Sequence, residues 1–162
     1  MNTVLQNLAK FIRDLMSFSE SDIFIGRQGF RVNDFSGRQV VVDSTGSIIP
    51  KTVSEKFGGT AEEMTYSQQI MTPCTINFYG DSAYSDATTF ALSIRSQLGY
   101  ELQRDLGIGI YDMGQLIDVK MLTGEQYNGR IQVSLNILSS INLAIETLRI
   151  DEAQLNDFDW EA

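Results

Sequence analysis

The side chains that usually carry catalysis are scarce in this chain. It contains no histidine, which excludes His–Asp-assisted nucleophiles, His-ligated zinc and an imidazole general base. Cys74 is the single cysteine, so neither an internal disulfide nor a cysteine-cluster metal site can form. It shares an alternating apolar strand face with Ile76 and Phe78 and has no histidine to activate it, so it reads as a small core residue. Gly107-Ile108-Gly109 lacks the third glycine of a dinucleotide fingerprint, since position 112 is Asp. It also follows a predicted helix where the fingerprint requires a strand. Neither a GxxxxGK[ST] phosphate loop nor a GxSxG nucleophile elbow occurs. Glu62 and Glu63 are adjacent, so on a strand they point to opposite faces and cannot share a substrate. Asp81 with Asp86, and Asp112 with Asp118, do not match calcium-loop spacing. These residues predict no enzyme, no cofactor and no metal.

Length and charge narrow the field further. The 162 residues, 43% hydrophobic and 20% charged, predict one soluble domain with a short extension. The net charge of −9 argues against a protein that grips nucleic acid by neutralising phosphates. That charge is graded along the chain. Residues 1–60 carry seven Lys/Arg and six Asp/Glu, whereas residues 61–162 carry five and fifteen. Such a gradient fits either a solvated acidic face or subunits that meet a complementary neighbour. No run of 18 apolar residues occurs, so no membrane-spanning helix is expected. The first 18 residues, with Lys10, Arg13 and Asp14 among their apolar positions, do not read as a targeting segment. Few cysteines and no leader fit synthesis in the cytoplasm.

The elements that would position any site read as follows. Val4, Leu5, Leu8, Phe11, Ile12, Leu15 and Met16 recur at three- and four-residue spacing, predicting an amphipathic helix capped by Asn2 or Thr3. Ile23, Phe24 and Ile25 predict a short strand ended by Gly26. Val40, Val41 and Val42 predict a core strand closed by a turn at Asp43-Ser44-Thr45-Gly46. Ile48 and Ile49 would begin its hairpin partner, with Pro50 restricting that strand to an edge or a bulge. Residues 52–63, containing Gly58-Gly59, read as an exposed loop. In 64–79, Cys74, Ile76 and Phe78 alternate with Thr75, Asn77 and Tyr79, a strand pattern. Asp81 or Ser82 would cap a long helix with Ala83, Ala87, Phe90, Ala91, Ile94 and Leu98 on its inner stripe. Gly99 would weaken that helix, and Leu102 would continue it. A Gly-rich segment spans 105–114, and Leu116, Ile117, Val119 and Met121 predict a strand before a turn at Thr123-Gly124-Glu125.

Residues 130–138 form the most regular pattern, with Ile131, Val133, Leu135 and Ile137 inward and Arg130, Gln132, Ser134 and Asn136 outward. Ser139-Ser140 reads as a bulge, followed by Ile141, Leu143 and Ile145, and a final short strand with Leu148 and Ile150. The aromatics Phe11, Phe78, Phe90 and Tyr100 read as core. The fold class is α+β: a mostly antiparallel sheet with two main helices on one face, a projecting hairpin or loop, and a C-terminal arm. Residues 1–150 would form the domain and 151–162 the acidic arm.

Two exposed stretches are candidate interfaces. The loop 52–63 carries Lys51, Glu55, Lys56, Glu62 and Glu63 in or beside it, with Phe57 as an aromatic anchor suited to a neighbour's pocket. The arm carries Asp151, Glu152, Asp157, Asp159 and Glu161 together with Leu155, Phe158 and Trp160. It is too polar to fold alone, and its two aromatics favour docking over exposure to solvent.

In order along the chain, four landmarks resemble the neck terminator (tail terminator) proteins of tailed bacteriophages. They are Ile25-Gly26-Arg27-Gln28 after the first strand, Thr75-Ile76-Asn77-Phe78-Tyr79-Gly80 before the long helix, Leu106-Gly107-Ile108-Gly109-Ile110 after it, and the alternating strand 130–138 with its return to Ile150. Gln28 stands where the family often has Asn or Gln. Residues 38–63 depart most from the pattern, and the acidic tail is unmatched. The resemblance implies a structural virion protein of the neck, assembled in the host cytoplasm. It implies a homo-oligomeric ring, commonly a hexamer, that terminates the tail tube and joins it to the head connector. Partners would be other neck, connector and tail-tube proteins, with DNA passing through the lumen without specific binding and no membrane involved. The alternatives are another tail or head-completion component, or a monomeric binding module of similar topology.

Overall fold

Apolar spacing in the first sixteen residues is realised as helix α1, Asn2–Met16. Leu5, Leu8, Phe11, Ile12 and Met16 lie on its buried stripe. Ser17 ends it in the left-handed region, at φ 54°. The Phe18 N–H then reaches back to the Arg13 carbonyl at 3.2 Å, the six-to-one closure of a helix C-terminus. The computed structural model describes residues 2–26, 37–44, 49–57, 63–119, 121–123 and 126–146.

After a 3-10 turn at Glu20–Asp22, the strands are β1 Ile23–Ile25, β2 Gln39–Ser44, β3 Ile49–Phe57 and β4 Glu63–Tyr79. Helices α2 Ala83–Ser93 and α3 Gln97–Asp105 follow, then β5 Ile108–Asp118, β6 Met121–Thr123, β7 Gln126–Asn128 and β8 Arg130–Glu146. One six-stranded sheet has the order β1-β2-β4-β8-β5, with β3 also paired to β4, and β6 and β7 form a separate two-stranded ladder. Only β1 and β2 are parallel within the large sheet. The class is therefore α+β with a mostly antiparallel sheet, as expected, but with three α-helices where two were expected.

Strand β4 organises the sheet. On one side β8 pairs along its whole length, from Glu63↔Glu146 to Tyr79↔Arg130. On the other, β2 takes the C-terminal half and β3 the N-terminal half. The expected hairpin of 40–42 with 48–49 is thus replaced by two strands lying end to end along one partner. Residues 52–57, expected as loop, belong to β3, while 58–62 lie outside the described residues. Pro50 sits where expected, on an edge strand beside a register shift between Pro50 and Val53.

The expected single helix over 83–98 is two. Ser96 is the N-cap of α3, its hydroxyl accepting from the Gly99 N–H at 3.1 Å. A Cβ on Gly99 would stand 2.4 Å from the Ser93 carbonyl oxygen and 2.5 Å from that of Ile94, so the close approach of α3 to the end of α2 requires glycine. The break turns Leu98 and Tyr100 outward, and Tyr100 is 61% exposed rather than core. Gln103, buried at that junction, donates to the carbonyls of Ile94 and Gly99 and accepts from the Ile110 N–H at 2.8 Å. Both α-helices are thereby tied to β5. The Gly-rich segment is strand from Ile108 onward, reached through a left-handed Gly107 at φ 63°. Ser139-Ser140 carries no bulge, since β8 pairs with β4 without a break. The irregularities lie instead in β5, at Ile110/Asp112 and Met113/Leu116. The turn residues 45–48 and 124–125, and Leu148 and Ile150, lie outside the described residues.

The core occupies one face of the sheet. Val40, Phe78 and Ile131 form one cross-strand row, and Val42, Ile76 and Val133 the next. Cys74 with Leu135 and Thr72 with Ile137 continue it, and all ten are buried. Leu8, Phe11 and Ile12 of α1 and Ala83, Ala87 and Phe90 of α2 belong to the same cluster. Phe90 is central, with ring centroids 6.3 Å from Phe11 and 5.7 Å from Phe78. On the opposite face Arg130 donates through two nitrogens to Asn77 Oδ1 and lies 5.7 Å from the Tyr79 ring centroid.

Candidate assembly interface

Beyond Thr72 and Ile137 the sheet outruns the described helices. Strands β3, the first half of β4 and the last third of β8 continue as a three-stranded arm. Its register aligns Val53 with Gln68 and Ile141, Glu55 with Tyr66 and Leu143, and Phe57 with Met64 and Ile145. Laterally paired residues share a face, and counting along β4 in steps of two puts these rows on the core face. The other face reads Ser54, Ser67 and Asn142, then Lys56, Thr65 and Ala144. There the Ser67 hydroxyl donates to Asn142 Oδ1 at 2.7 Å.

Apart from Gln68 and Glu55 the core-side face of the arm is apolar, and no helix among the described residues covers it. Ile141 and Leu143 are each 57% exposed, Val53 53%, Phe57 48% and Ile145 44%. Together they present on the order of 400 Å² of apolar surface, the size at which a patch on a monomer is often functional. Phe57 is thus exposed on an apolar face, as an anchor would be. Glu63 begins β4, opposite Glu146, while Glu62, Phe158 and Trp160 lie outside the described residues. Ile141, Leu143 and Ile145 were not singled out as interface residues. Their signal is the alternation that persists past Ser140, which marks a strand face without telling whether that face is covered.

Where the arm meets the helical layer a groove of about 400 Å³ opens between α1, β4, the α3–β5 corner and β8. Thr72 lines it and is almost fully buried, and its Oγ1 has no hydrogen-bond partner among the described residues. The Asn7 side chain donates to the Leu106 carbonyl at 2.9 Å and holds α1 against that corner. Other exposed apolar side chains lie elsewhere, Tyr84 and Leu92 on α2, Leu98 and Tyr100 on α3 and Tyr111 on β5, each at least half exposed, and Tyr100 and Tyr111 line one groove.

Two of the residues weighed for chemistry, Asp86 and Cys74, are held in structural roles. Arg38 donates to both carboxylate oxygens of Asp86, at 2.9 and 2.7 Å, and the Ser82 hydroxyl donates to the same carboxylate at 2.8 Å. Ser82 thus engages Asp86 rather than capping α2 through its side chain. The Arg38 guanidinium also stacks 3.8 Å from the Phe18 ring centroid, so this cluster joins α2, β2 and the end of α1. Burial, with the negative charge of Asp43, pushes the Cys74 thiol up to about 11, the opposite of activation. Among the described residues no cluster of His, Cys, Asp and Glu could hold a metal ion. No helix among them is long and apolar enough to cross a membrane.

The family described as phage neck terminator protein matches residues 2–160 of the chain. No curated protein matches the sequence.

Proposed function

Because the chain belongs to the phage neck terminator proteins, a structural family of the virion neck and tail, we propose that it closes into a ring there. Six copies would terminate the tail tube and join it to the head connector, with DNA passing through the lumen. The observation that carries this reading is the uncovered apolar face of the arm, with other exposed apolar side chains on α2, α3 and β5. A ring requires two unlike complementary patches per subunit, whereas a twofold dimer requires one self-complementary patch. The arm of each subunit, with Phe57 on its apolar face, would meet the next subunit, and Glu62 and Glu63 would take part in that contact.

Charge supports the lumen. A net charge of −9 per chain repels phosphates and favours sliding over binding. Assembly would take place in the host cytoplasm, and the neighbouring rings would be other neck, connector and tail-tube proteins.

Light scattering on the purified chain tests the ring. Six times 18.1 kDa is expected, and a mass of one chain or two overturns it. Added duplex DNA should elute separately from the ring at moderate salt.

A further inference from the structure

The sheet has an open slot beside β8. Strand β5 pairs with β8 only as far as Ile108↔Ser139, because the left-handed Gly107 turns the chain into α3. From 140 to 146 no described strand occupies that side of β8. This edge carries few of the usual guards against pairing, with a charge only at its last residue, Glu146. It reads Ser-Ile-Asn-Leu-Ala-Ile-Glu, without Lys, Arg or Pro, and all seven residues are exposed. The other edge of the arm, β3, has Pro50, a register shift, Lys51, Glu55 and Lys56, which are the devices that discourage an added strand. The groove that holds the unpartnered Thr72 hydroxyl lies at the near end of the slot, lined also by Ile70, Leu106 and Ile141.

The tail has the matching pattern. Residues 157–161 read Asp-Phe-Asp-Trp-Glu, a period-two alternation that places Phe158 and Trp160 on one side of a strand and three acids on the other. We propose that 157–161 of one copy adds as a strand to the open edge of β8 in the next copy, seating Phe158 and Trp160 on the apolar face at the groove. This rests on the ring reading and names the contact that links its subunits. The acids then share the polar face with Ser140, Asn142 and Ala144. The tail's negative charge also approaches the start of α1, whose first turn holds no acidic residue.

Chain length allows the contact between copies. Strand β8 ends at Glu146, and the sixteen residues after it would span roughly 50 Å if extended. The ten residues 147–156 would carry the segment either to its own edge or to a neighbour's, and the proposed ring, which needs a heterologous contact between copies, selects the neighbour.

In the register that keeps 157–161 beside the free residues 140–144, position 159 lies opposite 142, within the Cα separation a disulfide spans. A chain carrying Asn142→Cys is mixed with a chain carrying Asp159→Cys, oxidised mildly and resolved on a non-reducing gel. The expected result is a disulfide joining the two different chains. Adding Phe158→Ala and Trp160→Ala to the second chain should lower its yield roughly tenfold or more without moving Tm. If instead the disulfide forms only when both cysteines sit on one chain, the tail folds onto its own edge and the proposal is overturned. A ring mass by light scattering with no disulfide in either format overturns the tail contact and leaves the ring standing. A monomeric mass removes both.

Discussion

Strands β4 and β8 run side by side in unbroken register from one end of the molecule to the other, yet their two halves have opposite surroundings. In the half nearest α2, Ile76, Phe78, Ile131 and Val133 lie under Phe11 and Phe90 and are buried. In the arm, Ile141, Leu143 and Ile145 occupy the same face at the same spacing and are about half exposed. Alternation therefore specifies which face a side chain takes, and the length of the helical layer specifies whether that face is dry. A protein that needed only to fold would have no use for an apolar stripe extending past its helices. The family places this chain in an assembly, where such a stripe has something to meet.

The sharpest way to break the contrast is to put one charge on each half. Val133→Asp buries a carboxylate with no partner and should cost on the order of 3–5 kcal/mol, a large part of a domain's total stability. Leu143→Asp, on the same face of the same strand, should leave the isolated subunit's Tm within a few degrees. Thermal denaturation of the two variants measures the difference. Equal losses would mean that the arm is covered within the subunit.

Ionisation sharpens the contrast. Cys74 sits in the covered half with its thiol pushed up to about 11 by burial, against roughly 8.5 for a free thiol. The folded state thus holds this proton more tightly than the unfolded state does. Its contribution is complete below about pH 8.5 and is lost as pH rises to about 11, a fall of roughly 3 kcal/mol. Urea denaturation across that range should show a slope that Cys74→Ala flattens. A thiol reagent at pH 8 should leave Cys74 untouched in the folded chain and label a Leu143→Cys variant at the rate of a free thiol.

A third variant separates what the sequence disclosed from what it withheld. Helix α1, most of β4 and the first half of β8 were legible because each carries one uninterrupted period in its own residues. The α2–α3 break was not, since Ala83 to Leu98 keep helical spacing across it. Ser96 as N-cap and the contact that makes Gly99 obligatory become visible only when α3 is packed against α2. Strand β5 was hidden by Gly107 and Gly109, and β3 by charge and by the glycines after it. Of the proposed interface, Phe57 was legible as an aromatic among charges, but the row joining it to Met64 and Ile145 exists only through β-pairing. Gln103 had no sequence signal, although it serves two carbonyls and one N–H at that junction. Gln103→Ala leaves those groups short of partners and should cost about 1–3 kcal/mol, read by denaturation. A loss below that range would show that the break is held by Ser96 and Gly99 without it.

The smallest effect on folding should come from the arm's own aromatic. Phe57 is about half exposed on an edge strand, so Phe57→Ser removes little that the monomer buries. Its stability should change by no more than about 0.5 kcal/mol. In the proposed ring the same aromatic surface would become part of an interface, where aromatic anchors contribute about 2 kcal/mol or more per contact. Every subunit loses one such contact at once, so assembly should fall far more steeply than stability does. Denaturation and light scattering on one preparation read the two quantities together. A folded chain that no longer assembles is the expected result. Unchanged assembly would remove Phe57 from the interface, and a large drop in Tm would mean that the arm contributes to the fold itself.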